Sequence, residues 1–373
     1  MDDKTKRTWA EISLGAIEHN YRAMRAQLPE GCRFLGVVKA DAYGHGAVPV
    51  SKRLEALGCD YLAVACLDEA RQLREAGIGL PILILGYTPP EYARELAERD
   101  ITQAVGSLDM AAALNDALEG TGRTLKVHLK LETGMGRTGF RVFGPWKALP
   151  AATAARLPHL EAEGVFTHFC VSDAEPGVRD FTYTQLERFQ TAIDAIETRS
   201  GHHFTIRHCT NSGAMMSFPE TYMDMVRPGV SLYGMYPGPD RERVALIPAM
   251  TLKCRVACVE RHEPGDTISY GRTFTAERPM ETAVLPIGYA DGLHRALSNK
   301  LTVLVNGHRV PQVGRICMDM CMADVTGLGV RPGDEVEIFG RRMPIDDVAD
   351  LAGTIHYELT CAVSARVPRV YVD

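Results

Sequence analysis

The chain lacks most of the features that would place it at once in a simple class. It has two tryptophans in 373 residues, and no apolar run approaches a membrane span; Pro81–Leu85 is typical of the longest. There is no basic excess: the formal charge is −6, so bulk electrostatics offers no footprint for nucleic acid. Ten cysteines are present, yet none forms a Cys-x-x-Cys pair. The nearest pairs, Cys254/Cys258 and Cys317/Cys321, are each four apart, which suits same-face strand residues better than zinc ligands, and no metal site is expected. Reduced thiols in a cytoplasmic protein are the expectation. Met1–Arg7 is charged and leads straight into Trp9-Ala10-Glu11-Ile12, so no secretory or transit peptide is expected.

What is there divides into two textures. From Leu14 to about Gly234, short apolar runs alternate with helical patterns. The runs are Gly36–Val38, Tyr61–Val64, Ile82–Leu85, Ile101–Val105, Lys126–Leu131, Gly164–Thr167, Ile206 onward and Met225-Val226. Helical patterns such as Asp68–Ala76, Pro90–Arg99, Leu108–Leu118 and Thr184–Ile196 lie between them. Eight such units predict a closed (β/α)8 TIM barrel. Past Arg243 alternating strands arrive between turn signals, with Pro-Gly-Asp before Thr267–Tyr270 and before Glu335–Phe339, and Asn306-Gly307 inside a hairpin. This part predicts a C-terminal all-β domain. The expected division is 1–11 as a strand associated with the β domain, 12–242 as the barrel and 243–373 as the β domain.

The stretch Phe34–Gly46 carries the most chemistry. An apolar strand ends in Lys39, and a glycine-bracketed loop with Tyr43 and His45 follows. The C-terminal ends of barrel strands surround the active-site mouth. A lysine desolvated there has a lowered pKa and a nucleophilic amine; taken alone, a snorkelling strand-end lysine is the commoner case, and the surrounding loop shifts the balance. Elsewhere, Lys130–Arg137 ends another strand with two glycines and an arginine fork suited to a carboxylate or phenolate. His208–Ala214 runs from a strand end into small polar residues opening a helix, a setting that suits phosphate. Arg227-Pro228-Gly229-Val230 ends the next unit, and phosphate sites after the seventh and eighth strands recur in this fold.

Val38-Lys39-Ala40-Asp41-Ala42-Tyr43-Gly44-His45-Gly46 resembles the cofactor-attachment segment of the alanine racemases, a barrel family of pyridoxal-phosphate enzymes. The resemblance implies pyridoxal 5'-phosphate attached to Lys39, with its phosphate bound by Tyr43, Ser212, Gly229, Val230 and Tyr357, and Asn211 beside it. Arg137 would contact the cofactor's phenolic oxygen and the substrate carboxylate, and Lys130 would be the lysine that is often carboxylated in that family. Arg227 would face the pyridine nitrogen. An arginine holds its proton, so the ring stays unprotonated and a weaker electron sink, which limits side reactions. Tyr270 resembles the family's second base, reached from the partner subunit, and His168 would link it to Arg227. Met318 matches the residue whose backbone binds the substrate carboxylate in the other subunit's site, and Tyr289 matches a tyrosine at its mouth. Glu132 stands where the family usually has Asp, and Met320 replaces a frequent glutamine. The resemblance runs from Trp9 to Tyr371.

It implies a homodimer with shared sites that interconverts L- and D-alanine by two-base proton transfer at Cα, supplying D-alanine for peptidoglycan. A racemase of serine or lysine, a non-catalytic cofactor carrier and a decarboxylase are the other readings. Tyr289 and Tyr357 at the mouth favour a small substrate, and the β half argues against a carrier, which is typically a lone barrel.

Overall fold

The computed structural model describes residues 7–142, 148–241 and 243–373. Residues 1–6 of the expected N-terminal strand segment, and the barrel's expected last residue, 242, lie outside the described residues.

The chain opens on β1 (Thr8–Ser13) and then lays down β2 (Arg33–Val37), β3 (Tyr61–Val64), β4 (Ile82–Ile84) and β5 (Ile101–Val105). There follow β6 (Leu125–Glu132), a short β7 (Phe140–Arg141), β8 (Leu160–Phe166), β9 (Ile206–His208) and β10 (Met225–Val226). Eight of these are parallel neighbours in the order β10-β2-β3-β4-β5-β6-β8-β9, with β7 paired on β6. The ends meet: Asp224 N–H donates to Arg207 O (3.1 Å) and Arg227 N–H to Thr210 O (2.9 Å). The result is a nearly closed barrel with helices outside, as the alternation predicts. Strands such as Tyr61–Val64 are buried at every residue because helices cover one face and the barrel interior the other.

β6 shows how the barrel positions chemistry. Leu125, Val127, Leu129 and Leu131 are buried on one face, while Lys126, His128, Lys130 and Glu132 alternate on the other, toward the axis. Successive inward residues climb from the N-terminal to the C-terminal mouth, so Lys130 and Glu132 arrive where Lys39 also ends its strand.

The second half supplies β11 (Met250–Arg255), β12 (Cys258–His262), β13 (Thr267–Ile268), β14 (Phe274–Thr275) and β15 (Met280–Leu285). It continues with β16 (Thr302–Val305), β17 (His308–Val313), β18 (Cys321–Asp324), β19 (Glu335–Phe339) and β20 (Arg369–Val372). Apart from the β13–β14 pair they form one sheet, β12-β15-β18-β17-β16-β19-β11-β1-β20. β1 runs antiparallel to β11 and parallel to β20. Asn306 and Gly307 both take positive φ between β16 and β17, the hairpin turn their sequence predicts.

Two local expectations need correction. The strand expected over Thr267–Tyr270 stops at Ile268: Ser269 turns to φ 68°, donates its hydroxyl to Arg315 O (2.6 Å), and sends Tyr270 into a 3-10 turn. The β domain also carries two short helices, Ile345–Ala352 and His356–Ala362, and Tyr357 sits on the second.

Candidate active site

β2 delivers Lys39 to the barrel mouth, and the four residues after it do something rare. Ala40, Asp41, Ala42 and Tyr43 all hold φ between 51° and 55°, a left-handed helical turn. Each L-residue there costs about 1–2 kcal/mol, so the conformation persists only where contacts over-determine it. Those contacts are present. Ala42 N–H donates to Val38 O (2.8 Å), Gly46 N–H to Asp41 O (2.8 Å) and Ala47 N–H to Asp41 Oδ1 (2.7 Å). Glu69 accepts from Ala40 N–H and Ala65 N–H, both at 2.6 Å, clipping β2 to β3 beside the lysine. Tyr233 donates to Val37 O (2.8 Å) and packs on Tyr43. Burial, then the Arg137 charge, holds the Lys39 amine below its ordinary pKa.

Arg227 is buried at the centre of the mouth. Its guanidinium donates to Thr167 O (2.8 Å), Cys209 O (3.2 Å), His208 Nδ1 (3.1 Å) and, more loosely, His168 Nδ1 (3.4 Å). Burial pushes its pKa down to about 10, still protonated at neutral pH. Burial, and then Arg227, press His168 and His208 well below the usual histidine range, so both imidazoles are neutral. Lys130 donates to Thr138 Oγ1 (2.6 Å), and burial, then Arg137 and Arg227, brings its amine down to about 8. Glu132 folds the loop carrying Arg137 by accepting from Gly134 N–H (2.6 Å) and Arg137 N–H (3.2 Å). Burial opposes its ionisation, and these backbone donors outweigh it. Lys39, Lys130, Arg137, His168 and Arg227 thus converge on one mouth, with Glu69 and Glu132 at its edge.

Beside them lie the residues expected to take a phosphate. A Cβ on Gly229 would come 2.5 Å from the Tyr43 hydroxyl, so only glycine admits that phenol. Ser212 Oγ accepts from Gly229 N–H (2.8 Å), and Val230 is buried in the turn that follows. Tyr357 packs on Tyr43 with ring centroids 6.2 Å apart. Asn211 caps the Ser212–Ser217 helix, accepting from Ala214 N–H (2.9 Å) and donating to Phe169 O (3.2 Å). The Ser231 hydroxyl, fully buried next door, has no hydrogen-bond partner among the described residues.

Three expected residues lie apart from this cluster. Tyr270 is 71% exposed, Met318 53% and Tyr289 44%, all on the β domain. Their segments join each other: Tyr289 N–H donates to Cys317 O (3.0 Å) and Ala290 N–H to Met318 O (3.0 Å). None of the three has a hydrogen bond or ring contact with the lysine cluster. Sequence reasoning missed Glu69, Tyr233 and the role of His208. The first two leave no local signal; a polar His208 ending a barrel strand was one.

The described residues contain no group of three or more His, Cys, Asp or Glu able to hold a metal ion. Residues 12–237 match the family profile "Alanine racemase, N-terminal domain", and residues 249–371 match "Alanine racemase, C-terminal domain". The chain is 47% identical to an alanine racemase of Desulfovibrio desulfuricans over 98% of both chains. It is 40% identical to the solved alanine racemase of Clostridium difficile 630, with a TM-score of 0.93 and coverage of 99% of this chain and 96% of that one. A Bacillus anthracis alanine racemase solved with bound L-Ala-P is 35% identical, with a TM-score of 0.91, covering 99% of this chain and 95% of that one. The chain belongs to the alanine racemase family.

Proposed function

We propose that this enzyme interconverts L- and D-alanine with pyridoxal 5'-phosphate, and that the D-alanine serves peptidoglycan synthesis. The observation that carries the reading is the buried Arg227, hydrogen-bonded to two neutral histidines in the same mouth as a desolvated Lys39. The residues fit the cofactor. The slot at Gly229 under the Tyr43 hydroxyl, the Ser212 hydroxyl and the unpartnered Ser231 hydroxyl suit a phosphate, with Val230, Asn211 and Tyr357 around it. When bound, the cofactor's aldehyde condenses with an amine and its conjugated ring draws electrons from the bond to the substrate's α-hydrogen.

The chain's own residues supply the rest. Lys39 holds the cofactor and, as a neutral amine favoured by burial, takes or returns a proton on one face of Cα. Arg227 offers the ring nitrogen a hydrogen bond and keeps its own proton. Arg137 presents its fork to the substrate carboxylate. Lys130, near half-neutral at pH 8, is chemically able to add CO2, giving a carbamate and releasing a proton; the new anion would orient Arg137. Tyr270 acts on the opposite face of Cα from the partner subunit, with His168 and Arg227 polarising its hydroxyl. Met318 supplies backbone to the substrate carboxylate and Tyr289 narrows the mouth.

The exposed Tyr270, Met318 and Tyr289, joined into one surface, support a homodimer with shared sites. The ten free thiols support a reducing compartment, and we place the enzyme in the cytoplasm. No described helix is long and apolar enough to cross a membrane. The division at 1–11, 12–242 and 243–373 is supported by the pairing of β1 with β11 and β20. The test is direct: the purified holoenzyme is incubated with single L-amino acids and the products resolved on a chiral column. D-alanine from L-alanine is expected; none, or preference for serine or lysine, would overturn the substrate.

A further inference from the structure

Behind Arg227 and His208 the barrel interior continues in polar side chains that the chemistry above does not use. Arg227 Nη1 donates to His208 Nδ1 (3.1 Å), His208 Nε2 lies 2.8 Å from His128 Nδ1, and His128 Nε2 lies 3.3 Å from Glu163 Oε1. The Tyr61 hydroxyl donates to the same carboxylate oxygen at 2.5 Å. Both imidazoles are fully buried, and the Glu163 side chain is 17% exposed.

The two ends fix the direction of the line. A guanidinium has only donors and an ionised carboxylate only acceptors, whereas a neutral imidazole has one of each. His208 accepts at Nδ1 and therefore donates from Nε2; His128 accepts at Nδ1 and donates from Nε2; Glu163 closes the line. One placement of protons satisfies every contact. Burial favours the neutral form of both imidazoles; at His128 Glu163 pulls the other way, and burial with Arg227 and Arg33 outweighs it. Burial opposes the charge on Glu163, yet His128, Tyr61 and Lys126 hold it ionised.

The barrel is shaped around this line. Gly164 sits opposite His128 in the β6–β8 register, and a Cβ there would lie 2.6 Å from three of its ring atoms. Phe166 stacks on His208 with centroids 4.9 Å apart and planes 12° apart, and the Arg227 guanidinium lies 5.4 Å from the same ring. His208 therefore has little freedom except the choice of which nitrogen carries its proton, and that choice belongs to His128.

We propose that His128 and Glu163 are positioning residues for Arg227: they lock His208 in the tautomer that accepts from the guanidinium and so fix its aim. The inference rests on the role given to Arg227 above. A protonated His208 Nδ1 would face the guanidinium donor to donor, and the arginine would have to turn away.

The test uses the holoenzyme with 15N-labelled histidine and the variants His128→Phe and Glu163→Leu. In the parent, His208 shows an unprotonated Nδ1 and a protonated Nε2. In either variant we expect His208 to lose that single tautomer, and kcat to fall about 10-fold in both directions with KM changed less than about twofold, the low end of the loss seen for residues that orient metal-ligating histidines. If one variant does not fold, the other carries the test. Glu163→Gln, whose amide oxygen still accepts both bonds, should restore the tautomer and bring kcat to within about threefold of the parent. A His208 tautomer unchanged in the variants, a tautomer lost with kcat unaffected, or a Glu163→Gln as slow as Glu163→Leu would each overturn the proposal. The histidine signals are read whatever the substrate, so their failure is distinct from failure of the chiral assay.

Discussion

Lys130 is a buried amine held far from its solvent chemistry, and the nearby Glu132 only partly offsets that. Its pKa falls from 10.5 to about 8, burial first and then Arg137 and Arg227. Between those values the unfolded chain binds more protons than the folded one, so stability rises with pH across pH 8 to 10.5. Below pH 8 both states are protonated and the full destabilisation, roughly 3 kcal/mol, is present. Urea midpoints in CO2-free buffer should therefore climb more steeply over that window in the parent than in Lys130→Met; parallel curves would show that the amine is not held low. With 13C-bicarbonate the parent should give a carbamate carbonyl signal that Lys130→Met lacks. Tyr270 makes the other residue-scale prediction. If it serves one enantiomer, Tyr270→Phe mainly abolishes α-proton removal from L-alanine, and equal loss from both enantiomers in single-turnover exchange would count against it.

At the scale of elements, the left-handed turn after Lys39 is a strained device that can be relaxed. Ala40 is exposed at φ 53°. Ala40→Gly relieves about 1–2 kcal/mol of strain against 0.5–1 kcal/mol of added chain entropy, a net gain of about 0.5–1 kcal/mol. A rise of the urea midpoint together with a lower kcat is expected; a destabilised variant would mean the turn is not strained. Gly164→Ala acts oppositely. It drives a methyl into the His128 ring, and destabilisation of about 1–3 kcal/mol should appear in thermal unfolding.

Elements also show what the sequence made legible. Runs such as Tyr61–Val64 are apolar at every residue because a parallel strand is covered on both faces, and such runs, alternating with helical patterns, made the barrel legible. The left-handed turn did not: nothing in Ala40-Asp41-Ala42-Tyr43 favours positive φ, and contacts from Glu69 and Asp41 impose it. Tyr270 was expected to end a strand, but Ser269 answers to Arg315, 46 residues away. His128 carries no local signal within the alternating β6, because its partners Glu163 and His208 lie on other strands. The cluster of Lys39, Lys130, Arg137, His168 and Arg227 follows from motif resemblance; its neutral histidines and low lysine pKa values needed the packing.

For the whole molecule, the barrel half holds the Lys39 cluster, while Tyr270 and Met318 stand exposed on the β domain without reaching that cluster in their own chain. The proposed two-base site then needs two copies. In the proposed twofold dimer the partner's Tyr270 would face Lys39 at each site. Lys39→Ala and Tyr270→Phe chains are mixed, dissociated and reassociated. Half of the resulting dimers are mixed, and in each of these one site carries both defects while the other is intact. The expected activity is about one quarter of the parent's, on top of what the separate variants retain. No gain over the two variants assayed apart, with mixed dimers confirmed by mass, would contradict a site shared between subunits.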